Sequence, residues 1–523
     1  MNKTKWIKVV PACVLISILI TAGFSTAVSA AAGAQVDTKA ISDYINSTMK
    51  TDHIPGLALA VVKGDQIVYL QGYGKADNND RKVTPQTPFI LGSVSKSFTG
   101  LAISQLIEDG KIDIDAPVQR YLPWFTLADP EAAKQITISD LLAHISGLST
   151  KSGDNIIFND NISIEQMVRN LKNTQISQPV GTKYQYCNLN YVILGEVIQA
   201  VTGIPYGQYI EENIFQPLEM TNSFTSQAAA KKDGLATGYQ GFFGFVLPRN
   251  QTPHTGSTPA GFLISSSEDM GHYLMAEMNG GLYDGNQVIS KHGMEQTQTP
   301  ILYGTYGISG SYGMGWGIGN GVIGHDGATE NFCSSVYMTT ELGDGNNWGV
   351  VVLINSRDLP TEELTGQTAY GNITADIVQI LKGYSPVKYK SGSKFTYSEV
   401  YHIYWLIIAL LIMSLLITVF GMYKHKEKLN KNKINIKSGL ISLAIIHLLV
   451  PLSIVLCLQA LLPGILGLSL KSIILLIPDA GILLLWLPAL LLVTGVIKLI
   501  WLLPSIRNKK SISLSPDANK SAL

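Results

Sequence analysis

The chain has 523 residues, of which 46% are hydrophobic and 15% are charged, and its 38 basic side chains balance 38 acidic ones. A chain of this length can bury a full hydrophobic core and is expected to hold more than one structural unit. Because the formal net charge is zero, no basic field attracts a polyanion, and binding to nucleic acid is not expected.

The two ends are the most apolar parts of the chain. Residues 1–30 begin with three lysines, continue with an apolar core over 9–22 and end in the small residues Val28-Ser29-Ala30. Such a pattern is typical of a secretory signal peptide. We therefore expect an exported protein that starts near Ala31 after cleavage, with an uncleaved N-terminal anchor as the alternative.

The segment 36–382 is predicted to be one domain, with strands at both ends and helices between them. This order of elements is typical of an α+β fold in which helices flank an antiparallel sheet. The predicted helices cover 41–49, 93–107, 138–144, 190–202, 206–214 and the part of 259–275 that follows a Ser-rich cap, and the predicted strands cover 57–62, 67–70, 312–318, 322–323, 334–338 and 348–354.

One short stretch of this domain carries a chemical pattern. The apolar segment 89–91 meets Gly92, and Ser93 then falls near the first turn of a predicted helix, three residues before Lys96. Side chains at i and i+3 share a helix face, and a helix N-terminus offers free N–H groups. The pair fits a serine nucleophile with a lysine that removes its proton. The spacing alone is common, since it recurs at Ser47-Lys50, Ser385-Lys388 and Ser391-Lys394.

A second pattern is Tyr186-Cys187-Asn188, just before the predicted helix 190–202. Tyr186 and Asn188 alternate along an extended piece and so point the same way. A phenol beside a lysine ammonium has a stabilised phenolate and can act as a base, while the Asn188 amide can hold a substrate carbonyl or the lysine. An isolated tyrosine is, however, more often a packing residue.

A third pattern, at the end of an apolar strand, is Gly324-His325-Asp326-Gly327-Ala328. Glycines on both sides let a ligand approach the backbone closely. The N–H groups of Ala328 and Ser93 are expected to form a two-donor oxyanion hole, in which one donor is typically worth about 10² to 10³ in rate. Taken alone, His325 is more often a structural histidine than a catalytic one.

The three patterns, in this order, resemble the class C β-lactamase and penicillin-binding-protein family: Ser93-x-x-Lys96, Tyr186-x-Asn188 and His325-x-Gly327. Supporting phrases lie at 138–148, 217–220 and 259–261, and the resemblance covers roughly the whole predicted domain. It implies an antiparallel sheet flanked by helices, with an all-helical subdomain over the cleft. It also implies an acyl-serine mechanism, in which Lys96 and Tyr186 pass on the proton of Ser93 and water is activated near Tyr186.

The third pattern departs from that family in its charges. The family usually has Lys-Thr-Gly there, whose cation and hydroxyl hold a substrate carboxylate, whereas His325 is expected to be largely neutral at pH 7 and Asp326 is an acid. Losing such a contact weakens the binding of a carboxylate substrate by on the order of 1 to 3 kcal/mol. We therefore rank β-lactam hydrolysis and D,D-carboxypeptidase activity below hydrolysis of another amide or ester. The repulsive part of this argument requires Asp326 to face the cleft.

Beyond a Ser/Lys/Gly-rich linker at 383–400, the sequence predicts a membrane anchor over 401–503. Lysines follow the first apolar stretch of the anchor, and the tail 504–523 is also basic. Both basic segments are expected in the cytoplasm, so three crossings place the catalytic domain on the extracellular or periplasmic side. Three stretches are long enough to cross a bilayer, which takes about 20 helical residues: 404–422, 440–462 and 473–499.

This layout resembles that of the membrane-bound peptidases of the colibactin type, which mature non-ribosomal prodrugs by removing an N-terminal acyl-D-amino acid. Asn331-Phe332 and Ser334-Ser335 fit that subgroup as well, and they add Asn331 to the candidate substrate-binding residues. Two positions depart from it: Ile90, where the subgroup has an acid, and Asn188, where it has a serine.

Only Cys187 and Cys333 of the four cysteines lie in the predicted domain, so no disulfide framework is expected. A bridge between them is one alternative, and two inert buried thiols are the favoured one. The nine histidines show no metal-binding spacing, and no metal or cofactor is predicted.

The sequence thus predicts an exported hydrolase on a three-helix membrane anchor, which forms an acyl-enzyme at Ser93 and cleaves an amide or an ester. The expected substrate is a small peptide, amide or ester, such as an acyl-D-amino acid or a peptide prodrug. Two alternatives stay open: a β-lactamase or cell-wall D,D-carboxypeptidase, and a penicillin-binding sensor that acylates without turnover. The sequence makes no prediction about oligomeric state.

Overall fold

The computed structural model describes residues 36–157, 161–306, 310–340, 344–359 and 368–386, positions 342 and 362, and scattered residues between 401 and 496. The chain divides into two compact units, one from residue 12 to 397 and one formed by residues 1–11 and 398–523. The predicted signal peptide and most of the three predicted membrane stretches lie outside the described residues. Among the helices that are described, none is both long and apolar enough to cross a bilayer.

Each of the six predicted helices has a counterpart in the first unit, and the Ser-rich cap before residue 267 is confirmed. The second unit contributes one further short helix to the described residues. The α-helices are α1 (Thr38–Thr51), α2 (Ser95–Glu108), α3 (Pro130–Gln135), α4 (Ile138–Leu142), α5 (Thr150–Ile157), α6 (Ile164–Arg169), α7 (Asn188–Thr202), α8 (Tyr206–Ile210), α9 (Gln227–Lys232), α10 (Thr258–Gly261), α11 (Ser267–Met278), α12 (Lys291–Thr297), α13 (Ala369–Leu381) and, in the second unit, α14 (Leu470–Leu476).

The strands confirm the predicted α+β class. They are β1 (Gly56–Lys63), β2 (Gln66–Gly74), β3 (Phe89–Ile90), β4 (Tyr239–Phe242), β5 (Phe245–Pro248), β6 (Ile264–Ser265), β7 (Leu282–Tyr283), β8 (Asn286–Gln287), β9 (Leu302–Tyr306), β10 (Gly310–Tyr312), β11 (Gly317–Gly319), β12 (Val322–Ala328), β13 (Cys333–Thr339), β14 (Trp348–Ile354) and β15 (Ser356–Arg357). Eight of them form one sheet in the order β2-β1-β14-β13-β12-β11-β10-β9, and its neighbouring strands are antiparallel.

The two faces of this sheet bury different side chains. Successive residues of a strand point to opposite faces, and on β1 Ala58 and Ala60 join the core under α2 and α11. Leu57 and Leu59 join a second core under α1 and α13. We call these the α2 face and the α13 face. Because helices cover both faces, residues 57–62 of β1 and the whole of β14 are apolar on both sides rather than alternating.

Two local differences from the prediction concern the ends of helices. Helix α4 ends at Leu142, and His144 has a φ of 58°, a left-handed conformation that ends the helix earlier than its apolar pattern indicates. Ser93 lies in a short 3₁₀ turn, Gly92–Val94, which runs directly into α2.

Candidate active site

The turn that carries Ser93 packs directly against the end of β12. A Cβ atom on Gly92 would lie 2.4 Å from the backbone nitrogen of Ala328, and one on Gly327 would lie 3.0 Å from that of Ser93. Ser334 Oγ, opposite Gly327 on the neighbouring strand β13, donates a hydrogen bond to the Leu91 carbonyl at 2.5 Å and holds the turn against the sheet. Only glycine permits such an approach, and it brings the N–H groups of Ser93 and Ala328 to one place.

Lys96 is completely buried, and its Nζ contacts three oxygen atoms: Ser93 Oγ at 3.1 Å, Asn188 Oδ1 at 2.8 Å and the Ala260 carbonyl at 2.5 Å. Burial lowers the pKa of Lys96 from 10.5 to about 7, partly offset by the charge of Asp154. A neutral amine donates to the Asn188 and Ala260 oxygens and keeps one lone pair. That lone pair is then available to the hydroxyl proton of Ser93.

Tyr186 reaches the same hydroxyl from another part of the chain. Its phenol donates a hydrogen bond to Ser93 Oγ at 2.8 Å, and its ring centroid lies 4.9 Å from Lys96 Nζ. The hydroxyl of Thr150 on α5 holds the Tyr186 carbonyl at 2.6 Å. The Ser93 oxygen is thus approached by both an amine and a phenol.

Asp154 on α5 joins this cluster, although the sequence patterns did not point to it. Asn188 Nδ2 donates to Asp154 Oδ1 at 3.2 Å, while Asn188 Oδ1 accepts from Lys96. The amide therefore connects a carboxylate to the lysine, and the negative charge of Asp154 raises the pKa of Lys96 against the effect of burial. No motif surrounds Asp154 in the sequence, so only its position in space reveals it.

His325 lies on the α2 face beside the cluster but does not offer a free nitrogen. It is completely buried, with Nδ1 2.6 Å from the Asp326 carbonyl and Nε2 3.0 Å from the Tyr312 hydroxyl. A carbonyl only accepts, so Nδ1 carries the proton and Nε2 accepts from Tyr312. Burial and the charge of Lys96 lower the pKa of His325 to about 3. The imidazole is neutral, as expected, and both of its nitrogens are hydrogen-bonded within the protein. Its contact with substrate stays a prediction.

Asp326 points away from the cluster. His325 pairs with Val336 and Asp326 with Ser335, so the alternation along β12 places the Asp326 carboxylate on the α13 face. A Cβ on Gly371 of α13 would lie 3.6 Å from Asp326 Oδ2, and burial raises the pKa of this carboxyl to about 6. The expected repulsion of a substrate carboxylate by Asp326 is therefore wrong, whereas the missing cation at this position is a property of the site.

Asn331 does not join the cluster either. Its side chain is fully buried, and Nδ2 donates to the Arg249 carbonyl at 2.7 Å. It also packs so closely on Gly238 that a Cβ there would lie 2.3 Å from Asn331 Nδ2. Asn331 thus connects the turn after β12 to the segment after β5, and its contact with a ligand stays a prediction.

Cys187 and Cys333 are both free and buried. Burial raises the pKa of Cys187 to about 12 and that of Cys333 well above its ordinary value. Thiols in this state are poor nucleophiles, in agreement with the favoured alternative of two inert thiols.

The contact between the Ser93 turn and β12 gives a prediction about stability. Gly327→Ala is expected to destabilise the chain by about 1–3 kcal/mol, because the new methyl group would lie 2.0 Å from the Leu91 carbonyl and 2.4 Å from Ser334 Oγ. The free energy of unfolding in urea measures this effect. As a comparison, Gly64→Ala meets nothing within 4 Å and costs only its left-handed conformation, about 1–2 kcal/mol. Unchanged stability in Gly327→Ala would contradict the close approach.

The geometry suits nucleophilic attack by a hydroxyl. The amine and the phenol can take and return the proton of Ser93. The N–H groups of Ser93 and Ala328 can donate hydrogen bonds to a substrate carbonyl oxygen and so stabilise the negative charge that develops on it.

Comparisons with known proteins show which family the chain is similar to. A family model described as Beta-lactamase matches residues 41–375. Protein flp of Staphylococcus aureus (strain N315) is 28% identical over 354 residues, which covers 66% of this chain and 69% of the relative. Unguisins hydrolase ungD' of Aspergillus campestris is 28% identical over 326 residues, which covers 58% of this chain and 59% of the relative.

Two solved structures share the fold. The octameric penicillin-binding protein homologue from Pyrococcus abyssi has a TM-score of 0.56 and 26% identity, over 67% of this chain and 79% of the homologue. FmtA from Staphylococcus aureus has a TM-score of 0.53 and 24% identity, over 68% of this chain and 92% of FmtA. Since the family model covers well over half of the chain, the chain belongs to the beta-lactamase family.

Proposed function

We propose that the chain is a serine hydrolase that forms an acyl-enzyme at Ser93 and cleaves an amide or an ester. One observation carries the proposal: Ser93 Oγ is 3.1 Å from Lys96 Nζ and 2.8 Å from the Tyr186 hydroxyl. Membership of the beta-lactamase family and a relative named as a hydrolase of unguisins support it.

In the acylation step, Ser93 Oγ bonds to the substrate carbonyl carbon while its proton passes to the lone pair of Lys96. The carbonyl oxygen becomes an oxyanion against the N–H groups of Ser93 and Ala328. The bond to the leaving nitrogen or oxygen then breaks, and the leaving atom takes the proton from Lys96 by way of the Tyr186 hydroxyl. In deacylation a water molecule attacks the ester carbonyl carbon and gives one proton to the same pair. The bond from that carbon to Ser93 Oγ then breaks, the pair returns the proton to Ser93 Oγ, and the acyl group leaves as a carboxylic acid.

The charges of the site favour substrates without a carboxylate beside the scissile bond. His325 is neutral and buried, so the third motif supplies no cation to hold such a group. We therefore place small amides and esters, including an acyl-D-amino acid or a peptide prodrug, ahead of β-lactams and D,D-peptides. Asp326 no longer enters this ranking.

Hydrolysis of three compounds tests the proposal: p-nitrophenyl acetate, an N-acyl-D-amino acid amide and ampicillin, each with the wild-type chain and with Ser93→Ala. We expect turnover of the ester and the amide with a higher kcat/KM than ampicillin, and no turnover by Ser93→Ala. Ser47→Ala is the matched control, because Ser47-x-x-Lys50 has the same spacing on α1. Equal turnover by Ser93→Ala and the wild type would contradict the proposal.

The same experiment separates the alternatives. A β-lactamase would turn over ampicillin fastest. A penicillin-binding sensor would keep a stable adduct and release no product, which intact-mass measurement over several hours would detect.

Asp154 gives a prediction about pH dependence. Lys96 acts as a base only when neutral, so the acylation rate rises with pH through its pKa of about 7. The carboxylate of Asp154 raises that pKa, and Asp154→Asn is expected to move the rising limb of the rate profile to lower pH. Measuring the rate at which a fluorophosphonate labels Ser93 from pH 5 to pH 9 checks this shift. A limb that stays in place or moves to higher pH would contradict the role given to Asp154.

We also propose that the chain is exported and held on the outer face of a membrane by its C-terminal residues. The signal-peptide pattern, the three apolar stretches and the basic loop and tail support this topology. Carbonate extraction of isolated membranes is expected to leave the full chain in the pellet, and added protease is expected to digest the catalytic domain on intact protoplasts or spheroplasts. A chain that appears in the soluble fraction would contradict this proposal.

A further inference from the structure

His144 holds the segment around Tyr186 by three contacts. Its carbonyl accepts a hydrogen bond from the Gln185 N–H at 2.8 Å, and its Nδ1 accepts one from the Cys187 N–H at 3.2 Å. The imidazole also packs on the phenol ring of Tyr186, with 4.4 Å between centroids and 36° between planes. One residue therefore binds the chain before, at and after the phenol.

The hydrogen bonds fix which nitrogen of His144 carries its proton. Ser146 Oγ donates to Asn190 Oδ1 at 2.7 Å, so the NH₂ group of Asn190 faces His144 Nδ1 at 3.0 Å. Because both Asn190 and Cys187 donate to Nδ1, that nitrogen is the acceptor and the proton is on Nε2. Burial, and then the basic side chains of Lys96 and His325 nearby, lower the pKa of His144 well below its ordinary value, which keeps the ring neutral.

Two features of His144 cost stability instead of adding to it. Its φ of 58° is unfavourable for a residue with a side chain. In addition, Nε2 is buried, and no group in the described part of the chain accepts its proton. Strain and unsatisfied buried groups persist where the surroundings or the function require them. Here the left-handed turn is what lets both the carbonyl and the imidazole face the Tyr186 segment.

We propose that His144 is a positioning residue for catalysis, which fixes the Tyr186 phenol in front of Ser93 through the Nδ1 acceptor and the packed ring. The inference rests on the proposed acyl-serine function but assigns a role that the function does not require. His144 does not exchange protons with Ser93 or with substrate, and it acts only through Tyr186.

Kinetics of the full chain with p-nitrophenyl acetate test this role in His144→Ala and His144→Asn. Alanine removes both the acceptor and the ring, and misplacement of the phenol by about 1 Å is expected to lower kcat about 10²-fold, with KM within about twofold of the wild type. Asparagine tolerates the left-handed turn, and its Oδ1 can replace Nδ1 as the acceptor. The kcat of His144→Asn is therefore expected to be at least tenfold higher than that of His144→Ala.

His272 offers a matched control, because its Nδ1 lies 3.1 Å from the Leu218 carbonyl and its ring stacks on Tyr283 at 4.8 Å. His272→Ala and His272→Asn are expected to keep the wild-type kcat. A His144→Ala chain with unchanged kcat would overturn the inference, as would a loss that appears only in KM. If His144→Ala does not fold, His144→Asn decides, since a folded His144→Asn with a kcat reduced 10²-fold or more also overturns it.

The wild-type chain separates the two proposals. If a fluorophosphonate labels the wild-type chain, and the His144 variants are labelled as fast as the wild type, the positioning role fails and the serine hydrolase stands. If the wild type is neither labelled nor active, the proposed function fails and the positioning role fails with it.

Discussion

Replacing Lys96 by methionine is expected to lower the rate of acylation at Ser93 by about 10³-fold, within the range known for loss of a general base. Methionine has a similar length, but its thioether sulfur is far too weak a base to take the Ser93 proton. It also leaves Asn188 Oδ1 and the Ala260 carbonyl without the hydrogen bonds that they accept from Nζ at 2.8 Å and 2.5 Å. The second-order rate of labelling by a fluorophosphonate measures the effect directly.

Lys50 provides the control, because it belongs to the Ser47-x-x-Lys50 sequence of α1, which has the same spacing. Lys50→Met, at the exposed end of α1, is expected to react as fast as the wild type. Lys96→Arg keeps the charge but not a group that can become neutral, and it is expected to be as slow as Lys96→Met. A labelling rate for Lys96→Met within about threefold of the wild type would remove the amine from the mechanism. Near-UV circular dichroism confirms that each variant is folded.

Tyr186→Phe is expected to lower the acylation rate by about 10² to 10³-fold. The substitution removes only the hydroxyl that donates to Ser93 Oγ at 2.8 Å, while the ring can keep its packing on His144. We therefore expect a loss of rate without a comparable loss of stability. Stopped-flow measurement of leaving-group release from p-nitrophenyl acetate, with thermal unfolding of the same samples, separates the two.

Tyr209→Phe is the matched control for this change, because it also removes one tyrosine hydroxyl, the one that lies 3.2 Å from Gln105 Oε1. Its acylation rate is expected to equal that of the wild type. If Tyr186→Phe and Tyr209→Phe react equally fast, the phenol has no part in proton transfer.

The parts of the site that sequence reasoning found are those that local geometry determines. Ser93 and Lys96 meet because they are one helical turn apart, and the 3₁₀ turn before α2 keeps that spacing. The hairpin β1–β2 and the antiparallel strands β12, β13 and β14 were predictable for a similar reason, since apolar strands with turns between them favour antiparallel neighbours.

The missed or corrected residues all depend on long-range packing. Which face Asp326 occupies follows from the register of β12 on β13, which no short sequence window contains. Asp154 reaches Asn188 only because α5 packs beside α7. The apolar pattern continues past Leu142 and predicts a helix through His144, whereas the left-handed turn at His144 directs its side chain to the Tyr186 segment. Tertiary contacts decided these three positions against local preference.

The central claim is that the nucleophile is the hydroxyl of Ser93, and peptide mass mapping of the covalent adduct tests it most directly. The full chain is treated with a fluorophosphonate, digested and sequenced by tandem mass spectrometry. The account predicts one adduct on Ser93, which disappears in Ser93→Ala and persists in Ser47→Ala. An adduct on any other residue of the wild type, or an equal amount of adduct in Ser93→Ala, would contradict it.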